Sequence, residues 1–181
     1  MQFPTEIIGH AIKLRGITAK DVQDLFGGWT SQPDISKYLQ FRLHSSIDET
    51  ENFAAAAVEQ MRCGSKAYYT INTLTMNGDV AGIFSIEAED DVRLKVGFIT
   101  FRRFQRRGFA LSALKLALEW GFSVPAIHRI YALSDTENTG SIRTLERAGL
   151  TREGTLKSFG VHPNISPSPR DVFIYASVRT R

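Results

Sequence analysis

The chain has 181 residues, of which 43% are hydrophobic and 23% charged, and its formal net charge is +3. This length and composition predict one globular domain and exclude a disordered or fibrous protein. The single cysteine, Cys63, excludes an internal disulfide and a cysteine metal cluster. We find no apolar run long enough to span a bilayer and no signal-peptide pattern in Met1–Arg15. The sequence therefore predicts a cytoplasmic protein with no membrane partner.

The N-terminal third of the chain predicts one strand and three helices. Ser46 and Glu49 have the spacing of a capping box at a helix start, and Gly64 suits the left-handed residue that follows a helix. The predicted elements are a strand over 10–15, a short helix from Thr18 to Gly27-Gly28, a second short helix over 33–39, and a longer helix over 46–63.

The rest of the chain alternates strands with two helices. Asn77-Gly78 predicts a two-residue hairpin turn, because both residues tolerate positive φ. We predict strands over 67–75, 80–88, 93–100, 127–133, 152–161 and 171–179, and helices over 108–122 and 138–148. Pro163, Pro167 and Pro169 are assigned to the loop between the last two strands. This order predicts a single α/β domain of the α+β type over 1–181, with a mixed, mostly antiparallel sheet and helices on both faces.

A basic loop connects a predicted strand to a predicted helix within Val96–Ala110. Free amide N–H groups at a helix start converge on one point, where the helix dipole favours an anion. Gly108 lets the backbone approach such a ligand, and Ala110 is small for the same reason. Pyrophosphate fits this arrangement, and the neighbouring arginines could bind it or a further phosphate. These arginines are Arg102, Arg103, Arg106 and Arg107.

A family resemblance rests on this loop and on a second motif. Gln105–Ala110 matches the Q/R-x-x-G-x-G/A signature of the GNAT acetyltransferases, and Gly97-Phe98 precedes it at the family spacing. Asn138–Leu150 resembles the N-x-x-S-x-x-x-L-E-x-x-G-F segment of the ribosomal-protein N-acetyltransferases, the RimJ/RimL-like branch. The chain is thereby identified as a member of the GNAT superfamily.

The resemblance implies a sheet with a splayed pair of parallel strands, in which the pantetheine arm of acetyl-CoA lies. A backbone N–H near Phe98 or Ile99 would stabilise the oxyanion of the reaction. Acetyl-CoA is the implied acetyl donor, and no metal is expected because the four histidines lack ligand spacing. The implied acetyl-CoA contacts are Phe98, Ile99, Thr100, Gln105, Arg106, Arg107, Gly108, Phe109, Ala110 and Asn138.

The catalytic groups depart from the family pattern at two positions. Lys95 stands where many relatives have a glutamate base, and Leu145 stands where polyamine acetyltransferases have a tyrosine acid. We expect Glu87 to be the base, or water alone to suffice for an α-amine, whose pKa is near 8. Ser141 is the expected donor to the leaving thiol. His44 is a further candidate, because it lies between helices in the region that covers the acceptor site in this family.

Several of these residues have plainer interpretations. The arginines could form a solvated or nucleic-acid-binding face, although the glycine spacing favours a phosphate site and no nucleic-acid role is expected. Asn138 and Ser141 could merely cap a helix.

Three functions follow from the resemblance. The first is acetylation of a protein or peptide N-terminus, such as that of a ribosomal protein, and it rests on the branch resemblance and on Leu145. The second is acetylation of a small amine, namely a polyamine, an amino acid or an aminoglycoside. The third is a non-catalytic acyl-CoA-binding protein, suggested by Lys95. A monomer and a homodimer both stay open.

Overall fold

Eight strands form one continuous sheet in the computed structural model, which describes residues 1–179. Their order across the sheet is β1-β2-β3-β4-β5-β6-β8-β7. Every neighbouring pair is antiparallel except β5 and β6, which are parallel. The strands are β1 (Glu6–Ile8), β2 (Ile12–Gly16), β3 (Lys66–Thr73), β4 (Val80–Ala88), β5 (Arg93–Thr100), β6 (Arg129–Asp135), β7 (Thr151–His162) and β8 (Ser166–Val178). The predicted α/β class with a mixed, mostly antiparallel sheet is confirmed; residues 180–181 of the predicted domain lie outside the described residues.

Four α-helices accompany the sheet. They are α1 (Val22–Leu25), α2 (Ile47–Cys63), α3 (Phe109–Ser123) and α4 (Thr139–Arg147). A 3-10 turn, Ala19–Asp21, precedes α1, and a π-helical turn, Phe26–Thr30, follows it. No described helix is long and apolar enough to cross a membrane.

The helices α2 and α3 cover opposite faces of the sheet. A Cβ added to Gly121 of α3 would lie 2.5 Å from Ile130 Cδ1 and 3.2 Å from Leu94 Cδ1, so α3 packs directly on β5 and β6. On the other face, Phe53 of α2 meets the ring of Tyr68 edge-on at 5.1 Å. Because side chains alternate along a strand, the odd-numbered residues of β5 and β6 point away from α3. We call the two sides the α3 face and the α2 face.

The core lies between the sheet and its helices on both faces. Its fully buried large side chains include Trp29 from the π-helical turn, Leu114 from α3, and Tyr69 and Phe84 from the central strands. Burial of this apolar surface is the main driving force for folding. The edge strand β7 is mostly exposed and contributes little to the core.

Two N-terminal predictions are wrong. Gly27 and Gly28 do not end the first helix, because the chain continues through them in the π-helical turn. The helix predicted over 33–39 is absent, and residues 31–45 contain only turns and irregular backbone. Asn164 holds this segment instead: its Nδ2 donates to the carbonyls of Ser36 and Phe41, and its Oδ1 accepts from the N–H of Leu43. We call these residues segment 31–45.

The capping box predicted at α2 does not form, because the Ser46 side chain makes no capping hydrogen bond. Ser46 is the N-cap residue, as predicted, and Gly64 follows the helix with φ 77°. Glu49, however, accepts from the N–H and the hydroxyl of Ser45 rather than from Ser46. At the C-terminal end, Pro167 and Pro169 lie within β8 and not in a loop. They are tolerated because β6 ends at Asp135, opposite Val172, so this stretch of β8 has a neighbour on one side only.

Candidate active site

The central feature is a gap between the two parallel strands. β5 and β6 pair only at Arg93–Lys95 with Arg129–Tyr131, and then diverge. Beyond these three pairs, residues 96–100 of β5 and 132–135 of β6 have no strand partner on the facing side within the described structure. The predicted splayed pair is therefore confirmed. The gap exposes backbone donors and acceptors along Phe98, Ile99 and Thr100, which are all half-buried.

The loop after β5 has the geometry of an anion-binding nest. Arg106 and Gly108 both have positive φ, 62° and 82°. Gly108 is the N-cap residue of α3, and its carbonyl accepts from Ser112 as the first helical bond. Among residues 1–179, no backbone acceptor is found for the amides of 106–111. These amides and the dipole of the 15-residue helix α3 therefore favour a negative group at this point.

Two of the four arginines in the loop are already paired with carboxylates. Arg102 Nε donates to Asp34 Oδ2 at 2.9 Å, and Arg103 Nη2 lies 3.5 Å from Asp79 Oδ2. Arg106 and Arg107 are exposed and have no carboxylate partner among the described residues. The structure therefore leaves Arg106 and Arg107, the two arginines among the implied acetyl-CoA contacts, available to a ligand.

The other predicted cofactor residues of the loop support its shape. Gln105 is exposed, and its Nε2 lies 3.5 Å from the carbonyl oxygen of Thr100. Phe109 is buried edge-on against Phe104, with ring centroids 5.8 Å apart. Ala110 is half-buried in the first turn of α3. These contacts fix the path of the loop between β5 and α3.

Asn138 and Ser141 lie at the start of α4, directly after β6. Asn138 is the N-cap residue, and its Oδ1 accepts from the N–H of Ser141 at 3.2 Å. The capping role is thus confirmed, while contact with a cofactor stays a prediction. Because β5 and β6 are parallel, the start of α4 and the loop before α3 lie at the same edge of the sheet. Ser141 is half-buried there, whereas Leu145 is fully buried in the core.

Glu87 lies away from these groups, at the closed end of the gap. It is opposite Lys95 on β5 and Lys66 on β3. Its Oε2 is 3.2 Å from Lys66 Nζ and 3.9 Å from Lys95 Nζ. The nearby Tyr131 donates to Glu89; burial, together with this bond, raises the pKa of the phenol. The structure therefore does not bring Glu87 together with Asn138 and Ser141.

Segment 31–45 covers the α2 face at the open end of the gap. Within this segment, His44 Nδ1 is bonded to Thr50 Oγ1 at 2.8 Å, and its ring packs against Phe41 and Phe53. Burial lowers the pKa of His44, and the charge of Glu49 opposes this only in part. A neutral imidazole is therefore favoured at position 44.

One polar cluster at the open end was missed by the sequence analysis. Asp135, the last residue of β6, is buried; it accepts from Arg170 Nε at 2.7 Å and from the N–H of Glu137 at 2.9 Å. Burial would raise the pKa of Asp135, but these bonds outweigh it and lower that pKa. His162 Nε2 lies 3.3 Å from Asp135 Oδ2. Residues 135, 162 and 170 are distant in sequence, so no local pattern groups them.

Comparison with known proteins gives matches along most of the chain. The sequence model of the family described as "Acetyltransferase (GNAT) domain" matches residues 11–151. An uncharacterized N-acetyltransferase, YoaA of Bacillus subtilis, is 27% identical over 174 residues and 93% of each chain. Spermidine N(1)-acetyltransferase of Escherichia coli is 30% identical over 82 residues, which is 44% of each chain.

A solved structure has the same fold. It is RimL, described as a ribosomal L7/L12 alpha-N-protein acetyltransferase in complex with coenzyme A. It superimposes with a TM-score of 0.84 at 19% identity and covers 96% of this chain and 97% of its own.

Proposed function

This chain belongs to the acetyltransferase (GNAT) domain family, and from that premise we propose that it acetylates the α-amine of a protein or peptide N-terminus. Family membership and N-acetyltransferase relatives along nearly the whole chain make it an acyltransferase. The acceptor is the part that we propose. The observation that carries it is the absence of a converging acidic site among residues 1–179, which a polyamine would need.

The acidic side chains that could bind a polycation are separated or already paired. Glu87 contacts two lysines, Glu89 accepts from Tyr131, and Asp90 is paired with Arg93 at 2.7 Å. These three lie at the closed end of the gap, beside the start of β3. Glu49 lies at the other end of α2, about 20 Å away, because fourteen residues at about 1.5 Å each separate it from Cys63. A single α-amine needs no such acidic cluster.

Acetyl-CoA is the acetyl donor of the proposed reaction. We propose that the free backbone of Phe98–Thr100 binds its pantetheine arm as an added strand. The amides from Arg106 to Ala110 would bind its pyrophosphate, with charge-assisted bonds from Arg106 and Arg107. Gln105 would shape this loop, Phe109 would anchor it, and Asn138 would contact the pantetheine arm. A structure of RimL with coenzyme A supports this assignment through the shared fold.

The reaction requires an oxyanion donor and a proton donor to the leaving sulfur. A backbone N–H near Phe98 or Ile99 would stabilise the oxyanion. Ser141, half-buried at the start of α4, would donate a proton to the sulfur as the C–S bond breaks. No enzyme nucleophile is needed for direct attack, and Cys63 is exposed at the end of α2.

The base is less simply assigned. Glu87 is the candidate from the sequence, but its carboxylate is already engaged with Lys66 and lies near Lys95. Glu87→Gln tests this role. If Glu87 is the base, kcat should fall by about 100-fold or more, with acetyl-CoA affinity unchanged.

A small-amine acceptor is the second candidate. It is favoured by the 30% identity to spermidine N(1)-acetyltransferase, which is confined to 82 residues. That segment is less than half of the chain, whereas the N-acetyltransferase relative YoaA aligns over 93% of it.

Release of free thiol from acetyl-CoA over an acceptor panel tests the proposal. The panel contains peptides with varied N-termini, ribosomal proteins, spermidine, free amino acids and an aminoglycoside, with a no-acceptor control. We expect turnover with peptides or ribosomal proteins and no product when their α-amine is acetylated beforehand. Turnover with spermidine alone would refute the proposed acceptor and leave the acetyltransferase assignment intact.

A further inference from the structure

Lys95 lies on the α2 face at the closed end of the gap, where its positive charge is only partly compensated. Its side chain is 30% exposed, and among residues 1–179 the one carboxylate within ion-pair distance of Nζ is that of Glu87, at 3.9 Å. This separation is beyond hydrogen-bond distance. The same Glu87 oxygen is nearer to Lys66 Nζ, at 3.2 Å. One carboxylate therefore lies between two ammonium groups, and the group of Lys95 is the less well paired.

Toward the gap, the described residues beside Lys95 are uncharged or already engaged. Tyr131, its partner on β6, is buried, and its hydroxyl donates to Glu89. The next residue of β5 on this face is Gly97, and the residue opposite it on β4 is Ser85, which offers only a hydroxyl. The surface between Lys95 and the gap is therefore small and uncharged, and it leaves the ammonium group accessible to an acceptor on the α2 face.

The free backbone of β5 begins next to Lys95. The Phe101 N–H donates to the Ala81 carbonyl at 2.9 Å, directly opposite in the register of β5 with β4. Bonded and non-bonded pairs alternate along an antiparallel ladder, so Phe98, an odd number of residues away, turns its N–H away from β4 and into the gap. Lys95 lies three residues before Phe98, about 10 Å along the strand.

We infer that Lys95 selects peptide acceptors that carry an aspartate or a glutamate in their first two residues. The inference deepens the proposed function and rests on it, because it takes the α-amine to attack beside Phe98. An extended peptide advances about 3.3 Å per residue, so a carboxylate within two residues of that amine comes within reach of the Lys95 ammonium group. The same charge disfavours a polycation, since like charges repel.

The test compares kcat/KM for matched peptides that differ in one charge. One pair begins with aspartate or asparagine, and the other has glutamate or glutamine as its second residue, so each pair keeps nearly the same shape. We expect the wild-type enzyme to prefer the acidic member of at least one pair by about tenfold, as one charge-assisted bond would give. The preference should fall as salt rises, because Lys95 is partly exposed.

Variants of Lys95 test whether this residue sets the preference. Lys95→Gln should abolish it, Lys95→Glu should reverse it, and Lys95→Arg should retain it because the charge is kept. Lys115→Gln is the matched control, since Lys115 is an exposed lysine on α3, over the opposite face of the sheet. Thermal unfolding and acetyl-CoA affinity should be unchanged in Lys95→Gln, which separates acceptor recognition from folding and donor binding.

Equal kcat/KM for both members of each pair in the wild-type enzyme would overturn the inference and leave the peptide acceptor standing. So would an acidic preference that persists in Lys95→Gln, or one that is lost in Lys115→Gln. Turnover with spermidine and with no peptide would refute the proposed function and this inference together, so the two failures are distinguishable.

Discussion

Arg102 and Asp34 join the loop before α3 to segment 31–45, across 68 residues of sequence. Two guanidinium nitrogens of Arg102 donate to one carboxylate oxygen of Asp34, at 2.9 Å from Nε and 2.5 Å from Nη2. The pair is exposed, so its contribution to stability is small. Its main effect is on which arginines can bind an anionic ligand. Arg102 is engaged with Asp34, whereas Arg106 and Arg107 are not paired with any described carboxylate.

We therefore predict unequal effects of the loop arginines on acetyl-CoA binding. Arg106→Gln and Arg107→Gln should each raise Kd by about tenfold, the equivalent of one charge-assisted bond of about 1.4 kcal/mol. Arg102→Gln is the matched control and should change Kd by less than about threefold. Isothermal titration calorimetry at low and high salt measures each Kd. The increase in Kd caused by Arg106→Gln or Arg107→Gln should be smaller at high salt. Equal losses for all three variants would contradict the prediction.

Gly28 and its neighbour Gly27 provide a test of packing. A Cβ on Gly28 would come within 2.5 Å of the Phe101 ring, but a Cβ on Gly27 would meet no atom within 4 Å. We expect Gly28→Ala to lower the free energy of unfolding by about 1–3 kcal/mol, because the ring is buried and cannot move freely. Gly27→Ala should leave it unchanged or raise it by up to about 1 kcal/mol. Urea unfolding checks both, and similar values for the two variants would be inconsistent with the observed packing.

Asp21 should make stability depend on pH. It is buried and accepts from Arg15 and from the N–H of Thr18. Burial would raise its pKa, but these bonds outweigh burial and lower the pKa below its ordinary value of 3.8. Ionised Asp21 therefore contributes stability that is fully present above about pH 4 and is lost as pH falls through the lower folded pKa.

Asp21→Asn should accordingly lower the free energy of unfolding by about 2 kcal/mol at pH 7, and by progressively less below about pH 4. The exposed Asp24, on helix α1 directly after the 3-10 turn that contains Asp21, is the control, and Asp24→Asn should have little effect at any pH. Thermal unfolding between pH 2 and pH 7 measures both variants. If the difference in free energy of unfolding between wild type and Asp21→Asn stays constant across this pH range, ionisation of Asp21 does not contribute to stability as predicted.

Ser141 should affect turnover without affecting acetyl-CoA binding. If its hydroxyl protonates the leaving sulfur, Ser141→Ala should lower kcat by about 100-fold while Kd for acetyl-CoA changes little. Thr144→Ala, one turn along α4, is the control, because the Thr144 hydroxyl donates to the Gly140 carbonyl within the helix. Steady-state thiol release and direct titration separate the two quantities. A normal kcat in Ser141→Ala would remove the serine from the mechanism.

Local patterns in the sequence predicted the centre of the fold closely. β4 and β5 begin and end at the predicted residues, Val80–Ala88 and Arg93–Thr100, because alternation and turn residues mark both ends. Asn77 and Gly78 both have positive φ, as predicted, although the turn containing them is longer than two residues. The loop between β5 and α3 was recognisable because its function depends on backbone conformation at fixed spacing.

Elements governed by distant contacts were not predictable in this way. The helix expected over 33–39 is replaced by irregular backbone, because Asn164 supplies hydrogen bonds from more than 120 residues away. The short strand β1 was missed, since three residues carry too little periodicity to indicate a strand. Asp135 and His162 were missed for a related reason: only the folded sheet brings the ends of β6 and β7 together.

Segment 31–45 contains no strand and no helix. Asn164 nevertheless anchors it through three hydrogen bonds, two of them to backbone carbonyls, which a residue of any type at those positions would provide. Its exposed side chains are free to change while these anchors persist, whereas Ser36 is buried and donates to the Trp29 carbonyl, and Phe41 packs against Trp29. Exposed positions of this segment can therefore change at little cost to the stability of the sheet beneath it. Under the proposed function, exchanging these exposed residues between relatives is expected to change the acceptor preference without unfolding the domain.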